Sequence, residues 1–244
     1  MTDETTSSQA SRARQRGLAI IPGYNEAGRI GEVVRRTKAV LPAVAVLDDG
    51  SSDRTVDEAR AAGATVLCHP VNRGKGAALA TGFAYAREQG FDWVLTLDAD
   101  GQHDPADIPR FIEAYTRTGM PVLVGNRMAE ADTMPRIRRW TNQFMSGLLS
   151  REMGQYVPDT QCGYRLYRAD VLPFLETEST RFAAESESLL HVAALHLDIG
   201  AVPISTIYLA GRESHIRPFR DTLRFFSMLR RYRRSRRRRP DPSA

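Results

Sequence analysis

The chain has 244 residues, 42% hydrophobic and 26% charged, so most of it is expected to fold as one ordinary α/β domain. The net charge of +5 is almost wholly arginine, since Lys38 and Lys75 are the only lysines, and the excess sits in Arg230 to Arg239, pointing to an anionic partner surface. Cys68 and Cys162 are too few for a disulfide framework and lack metal-site spacing, so a reduced cytoplasmic protein is expected; no window approaches the roughly 18 consecutive apolar residues of a membrane span.

Residues 1–16 are polar, have no apolar signal core, and read as a disordered tail. Leu18-Ala19-Ile20-Ile21 predicts a short buried strand ending at Pro22-Gly23. Next come a helix over about Ala27–Val40, a strand at Val44–Leu47, and a helix capped by Asp53 and running to about Ala62. A strand at Ala64–Leu67, a helix over Gly74–Gln89, a strand at Trp93–Leu97, a helix over about Pro105–Thr116 and a strand at Val122–Val124 complete the alternation. After Arg127 the rhythm breaks into an amphipathic helix over Pro135–Glu152, a polar and aromatic stretch over Asp159–Arg168, a helix over Phe182–Leu197 and a strand over Ala201–Tyr208. Pro218 to Arg234 is amphipathic at helical period, with Phe219, Leu223, Phe226 and Leu229 on one face and Arg220, Arg224, Arg231 and Arg234 on another. That pattern suits a helix in a membrane interface; the alternative is a terminal helix packed on the core with a solvated basic tail. RNA is not expected as a partner, because no recognition motif accompanies the charge. The chain thus divides into a tail (1–16), one domain (17–216) and a basic C-terminal helix and tail (217–244).

Alternating strands and helices predict a parallel sheet whose ligands sit beyond the carboxyl ends of the strands. The polar clusters fall at those ends: Pro22-Gly23-Tyr24-Asn25-Glu26, Asp48 to Asp53, Asp98 to His103, and Gly125-Asn126-Arg127. Asp98 and Asp100, spaced i, i+2 after a buried strand, suit a divalent cation bridging the phosphates of a departing nucleoside diphosphate, with Gln102 or His103 extending the site. Asp49 can accept a hydrogen bond from a base, or simply serve the turn; Tyr24 and Glu26 can cover a base or ribose, or Glu26 can be a first-turn acid. Asn72-Arg73-Gly74-Lys75-Gly76 lacks the phosphate-loop pattern, and Lys75 is either a phosphate contact or simply exposed.

In order and spacing, Pro-Gly-Tyr-Asn-Glu, Asp-Asp-Gly-Ser-Ser-Asp, Asn-Arg-Gly-Lys-Gly-Ala and Asp-Ala-Asp-Gly-Gln-His resemble the family 2 glycosyltransferases over about Leu18–Thr222, nearest to the dolichyl-phosphate mannose synthase and bacterial polyprenyl-phosphate branch. The resemblance implies the GT-A fold, an α/β mostly parallel sheet flanked by helices, and inverting, Mg²⁺- or Mn²⁺-dependent transfer from a GDP- or UDP-sugar. It implies that Pro22, Tyr24, Glu26, Asp49, Lys75, Asp98 and Arg212 hold the nucleotide-sugar and that Asp98, Asp100 and Gln102 bind metal and diphosphate. Arg127, Arg139, Gln161 and Arg165 would meet the acceptor, and Asp98, Asp100, Arg127 and Asp159 would form the catalytic set. Gly211 to Ile216 resembles a loop closing over the diphosphate, with His215 where many relatives have Lys. A polyprenyl phosphate acceptor is already ionised and needs arginines rather than a strong base. A hydroxyl acceptor would need one, with Asp159 or Glu185 as candidates and a solvated helix face as the other role for Glu185 and Glu187. Cys162 reads as structural. The expected location is the inner face of the membrane, peripherally bound to its anionic surface. Competing readings are transfer to a hydroxyl of a lipid or glycan, a nucleotidyltransferase lacking its glycine-rich loop, and a noncatalytic membrane- or nucleic-acid-binding protein.

Overall fold

The computed structural model describes residues 16–128, 134, 136–175, 177, 182–205 and 218–238. In chain order its elements are β1 (Gly17–Gly23), α1 (Ile30–Lys38), β2 (Val44–Asp48), α2 (Thr55–Ala61), β3 (Thr65–Cys68), α3 (Lys75–Glu88), β4 (Trp93–Thr96), α4 (Ile108–Thr118), β5 (Val122–Asn126), α5 (Arg136–Met153), β6 (Arg165–Arg168), α6 (Phe182–Ala194), β7 (Ile199–Pro203) and α7 (Pro218–Arg238). Short 3-10 turns precede α4 (Pro105–Asp107) and follow β6 (Ala169–Phe174).

The strands form one seven-stranded sheet in the order β3-β2-β1-β4-β6-β5-β7. β1 and β2 are buried along their whole length, as continuous apolar strands in the middle of a parallel sheet covered on both faces must be. α3 packs over β1 and β2, and its Phe83 meets Tyr167 of β6 edge to face at 5.6 Å. The α4 layer starts where Asp104 accepts a hydrogen bond from the Ala106 N–H and stops at Gly119, whose φ of 63° ends the helix.

Most of the pairing is parallel, as the alternation predicts. β6 is the exception: it runs antiparallel between β4 and β5, pairing Thr96 with Arg165 and Val124 with Arg165. The polar and aromatic stretch Asp159–Arg168 therefore ends in a central strand. Its Leu166 and Tyr167 are buried by neighbours from distant parts of the chain, which four residues with no apolar alternation do not announce. The last strand begins at Ile199 rather than Ala201, and residues 206–208 lie outside the described ones.

Glu185 and Glu187 are both buried, so the solvated helix face, preferred for Glu187 and the other role open to Glu185, is corrected. α7 buries Phe225, Met228 and Leu229, and its Tyr232 hydroxyl donates to the Leu190 carbonyl of α6 (3.4 Å). Leu229 thus faces inward, whereas Leu223 and Phe226, expected on the same face, are exposed. Among the described residues no helix is long and apolar enough to cross a membrane.

Candidate active site

The loops after β1 and β2 are knitted together. Asn25, in the left-handed region at φ 55°, donates its N–H to Ser51 Oγ (2.9 Å), and its Oδ1 accepts the Ser52 N–H (2.9 Å). Thr55 Oγ1 accepts the Glu26 N–H at 2.7 Å. Asp53 accepts the Ala27 N–H (3.1 Å) with one oxygen and the Thr55 N–H (3.0 Å) with the other, so it clamps the first loop onto the N-terminus of α2 as well as serving the turn. These bonds hold its carboxyl below the usual range although burial opposes them. Pro22 is buried at the end of β1, Tyr24 is exposed, and Glu26 accepts from Arg29 Nε at 2.9 Å.

Asp49 is buried and accepts three bonds, from the N–H groups of Arg73 (2.9 Å) and Gly74 (2.6 Å) and from the His69 ring (Nδ1, 2.8 Å). The other His69 nitrogen meets Thr81 Oγ1 at 2.9 Å. Asp49 is therefore aimed by β3 and by the Asn72–Lys75 turn together. The next residue, Gly50, has φ 77°, and a Cβ there would come within 2.7 Å of the Val71 backbone, so only glycine lets the two loops approach. Nothing in the local sequence announces His69 as the partner of Asp49.

Asp98 leaves the end of β4 with its N–H donated to His103 Nδ1 (3.0 Å), which puts the proton of a neutral His103 ring on Nε2. The ring is buried and stacks on Tyr164 at 5.0 Å; burial keeps it below the ordinary imidazole range despite the nearby Asp98 charge. Lys75 lies between two carboxylates, 2.5 Å from Asp98 Oδ1 and 2.9 Å from Glu185 Oε1. Burial works against the charge on each partner. The Coulombic attraction outweighs it, holding the Asp98 carboxyl well below the usual range and the Lys75 ammonium above its own. Gly163 leaves the space: a Cβ there would lie 2.7 Å from Glu185 Oε1 and 3.1 Å from Lys75 Nζ. Lys75 is thus neither merely exposed nor simply poised for phosphate, but an internal counter-ion for Asp98.

Arg127, just past β5, is buried against the fully buried Asp159. Its Nε donates to Oδ2 (2.7 Å), its Nη2 to Oδ1 (2.9 Å), and its N–H to Oδ2 (3.2 Å). The positive charge of Arg127 also reaches Asp98 and helps keep it ionised. Arg165 is fully buried and donates to the carbonyls of Cys162 (2.7 Å), Thr160 (2.9 Å) and Glu185 (2.5 Å), and to Tyr167 Oη (3.2 Å). The expected acceptor contact from Arg165 is corrected: its guanidinium braces the 159–163 loop against α6. Gln161 turns the same way, donating to Thr160 Oγ1 (3.0 Å) and Ser186 Oγ (3.4 Å). Arg139 is exposed in the first turn of α5. Cys162 is buried and its thiol is pushed up to about 12 by burial, which suits a packing role. Arg212 and His215 lie outside the described residues.

Asp98, Asp100 and Gln102 cluster within one turn, where Asp100 Oδ1 accepts the Gln102 N–H at 2.9 Å. Carboxylate and amide oxygens are the donors a hard divalent cation takes. Among the described residues no group of three or more His, Cys, Asp or Glu side chains could hold a metal ion. These oxygen donors do not form a closed protein cage; they would suit a hard cation such as Mg²⁺ or Mn²⁺ only where phosphate oxygens and water complete its shell.

Residues 18–174 match the model of Glycosyl transferase family 2. The chain is 32% identical over 212 residues to a UDP-N-acetylglucosamine–dolichyl-phosphate N-acetylglucosaminyltransferase of Methanococcus voltae, covering 78% of this chain and 84% of that one. It is 31% identical over 206 residues to an undecaprenyl-phosphate mannosyltransferase of Micrococcus luteus, covering 79% and 84%. Among solved structures, glucosyl-3-phosphoglycerate synthase of Mycobacterium tuberculosis, crystallised with Mn²⁺, uridine diphosphate and phosphoglyceric acid, superposes with a TM-score of 0.70 at 20% identity, over 97% of this chain and 84% of that one.

Proposed function

The chain belongs to glycosyl transferase family 2 and is a glycosyltransferase with a GT-A-like fold, and from that premise we propose that it moves a mannose- or glucose-type sugar from a GDP- or UDP-sugar to a polyprenyl phosphate, with inversion, at the cytoplasmic face of a membrane. The observation that carries the choice of acceptor is the state of the two candidate bases. Asp159 is locked in a bidentate pair with Arg127, and Glu185 is pinned by Lys75. A hydroxyl acceptor needs a carboxylate able to take its proton. An acceptor phosphate is ionised already and attacks without one. The names of the Methanococcus voltae and Micrococcus luteus relatives, both lipid-phosphate transferases, support the same choice.

In the proposed reaction an acceptor phosphate oxygen forms a bond to the anomeric carbon while the bond to the donor's diphosphate breaks, and the electron pair leaves on the diphosphate. A bound divalent cation would neutralise that departing charge, held by Asp98, Asp100 and Gln102. Tyr24, Glu26 and Asp49 hold the nucleoside, and His69 with the Arg73 and Gly74 N–H groups keeps Asp49 aimed. Lys75 keeps Asp98 ionised, and Arg127, oriented by Asp159, marks the acceptor side.

The test is a panel of radiolabelled GDP- and UDP-sugars offered to the protein with polyprenyl phosphate in liposomes, with and without chelator. Labelled lipid is expected only with the phosphate and the cation present, and not from a folded Asp100→Ala protein. Labelled product formed without lipid phosphate would sink the acceptor assignment.

A further inference from the structure

α5 presents an apolar stripe to the outside. Ile137 is 83% exposed, Trp140 68% and Phe144 52%, at spacings of three and four residues that put them on one helical face. The rings of Trp140 and Phe144 stack at 5.8 Å, 14° from parallel. The opposite side of the helix is packed, with Ser146, Leu149 and Ser150 buried. Single exposed apolar residues are ordinary; an aromatic stripe on a helix whose other side is already buried marks an interaction surface.

We infer that this stripe is the surface by which the protein enters an anionic lipid bilayer. The inference rests on the proposed lipid-borne acceptor and names the part of the fold that reaches it. Tryptophan and phenylalanine beside arginine are what the headgroup boundary accepts, and Arg136 and Arg139 are exposed in the same turns. α7 carries nine arginines against one aspartate, and its Arg233 pairs with Glu152 near the end of α5, fixing the basic helix to the apolar one. Charge of that density complements anionic headgroups and repels a second copy of the same surface.

The helix is also wired to the site. Ser146 Oγ accepts the Thr160 N–H (2.9 Å) and Ser150 Oγ accepts the Val157 N–H (3.0 Å), so α5 holds both flanks of Asp159, which in turn holds Arg127. An α5 lying in the interface would set the height of Arg127 above the bilayer. The C-terminal helix supplies most of the charge and exposes Leu223 and Phe226, while the stacked aromatic stripe is that of α5.

The experiment uses the full chain with vesicles of phosphatidylcholine, alone or mixed with phosphatidylglycerol, and no substrate. The chain has two tryptophans, of which Trp93 is already 1% exposed, so any emission shift on vesicle addition reports Trp140. A blue shift with mixed vesicles is expected, together with at least about a tenfold loss of partitioning in Trp140→Glu/Phe144→Glu, whose melting temperature stays unchanged. Partitioning equal to wild type in that variant, or no blue shift, overturns the inference. So does a wild-type dimer that the variant breaks while vesicle binding is retained. Polyprenyl product from a wild type that shows no blue shift overturns the insertion alone. Insertion without polyprenyl product in the transfer assay leaves the surface standing and overturns the acceptor assignment.

Discussion

Replacing Lys75 by methionine tests whether one internal cation neutralises both the buried Glu185 and the partly exposed Asp98. The ammonium lies 2.5 Å from Asp98 and 2.9 Å from Glu185, and methionine keeps most of the stem while removing the charge. Glu185, 7% exposed, then has lost its cation in a dry setting, where removing one partner of an ion pair costs about 3–5 kcal/mol. Asp98 is 31% exposed, so water replaces part of what it loses, and a net loss of about 3 kcal/mol is expected. The pH dependence has a definite sign. The Asp98 carboxyl is depressed by Lys75, so its contribution is present above about pH 4, its unfolded value, and is lost as pH falls further. The Lys75 ammonium is raised, so its contribution is complete below about pH 10 and is lost only as pH climbs beyond that. The variant lacks both contributions, so its deficit is full at about pH 7 and narrows only as pH falls below about 4, as at about pH 3. Urea unfolding of the two proteins at both pH values measures this, with Lys75→Met/Glu185→Gln expected to recover much of the loss. A deficit below about 0.5 kcal/mol at neutral pH, or one that does not change with pH, would refute the reasoning.

Two further outcomes follow from the same contacts. Arg165→Met removes the donors that satisfy three buried carbonyls and should cost about 3–5 kcal/mol, seen as a large drop in melting temperature; an unchanged melting temperature with a raised KM for lipid phosphate would restore Arg165 as a substrate contact. His69→Ala removes one of the three bonds that aim Asp49 and should raise the KM for nucleotide-sugar about tenfold while kcat stays within about twofold; an unchanged KM would mean that His69 only packs.

The local periods and turn residues were enough to place most of the fold. Apolar runs such as Leu18–Ile21 and Val44–Leu47 read as buried strands because each fills its own pleat with its own residues. The same holds for the site's outline: Glu26, Asp49, Asp98 and Arg127 fall at strand ends, and parallel strands deliver their carboxyl ends to one edge. Strand β6 escaped this logic, because its burial comes from β4 and β5 on either side and not from its own pattern.

The βα framework, the sheet edge at which the polar clusters gather and the residue types available there were therefore legible in the order of residues along the chain. Tertiary structure alone decided which charges neutralise each other. Lys75 with Asp98 and Glu185, and Arg127 with Asp159, are partners from different elements. Pairing of that kind depends on which groups are desolvated together when the sheet closes, and desolvation is a property of the packed chain rather than of any segment. The same holds for α5 and α7: both read as amphipathic, and only packing shows that α7 turns Phe225, Met228 and Leu229 inward while α5 leaves Trp140 and Phe144 outside.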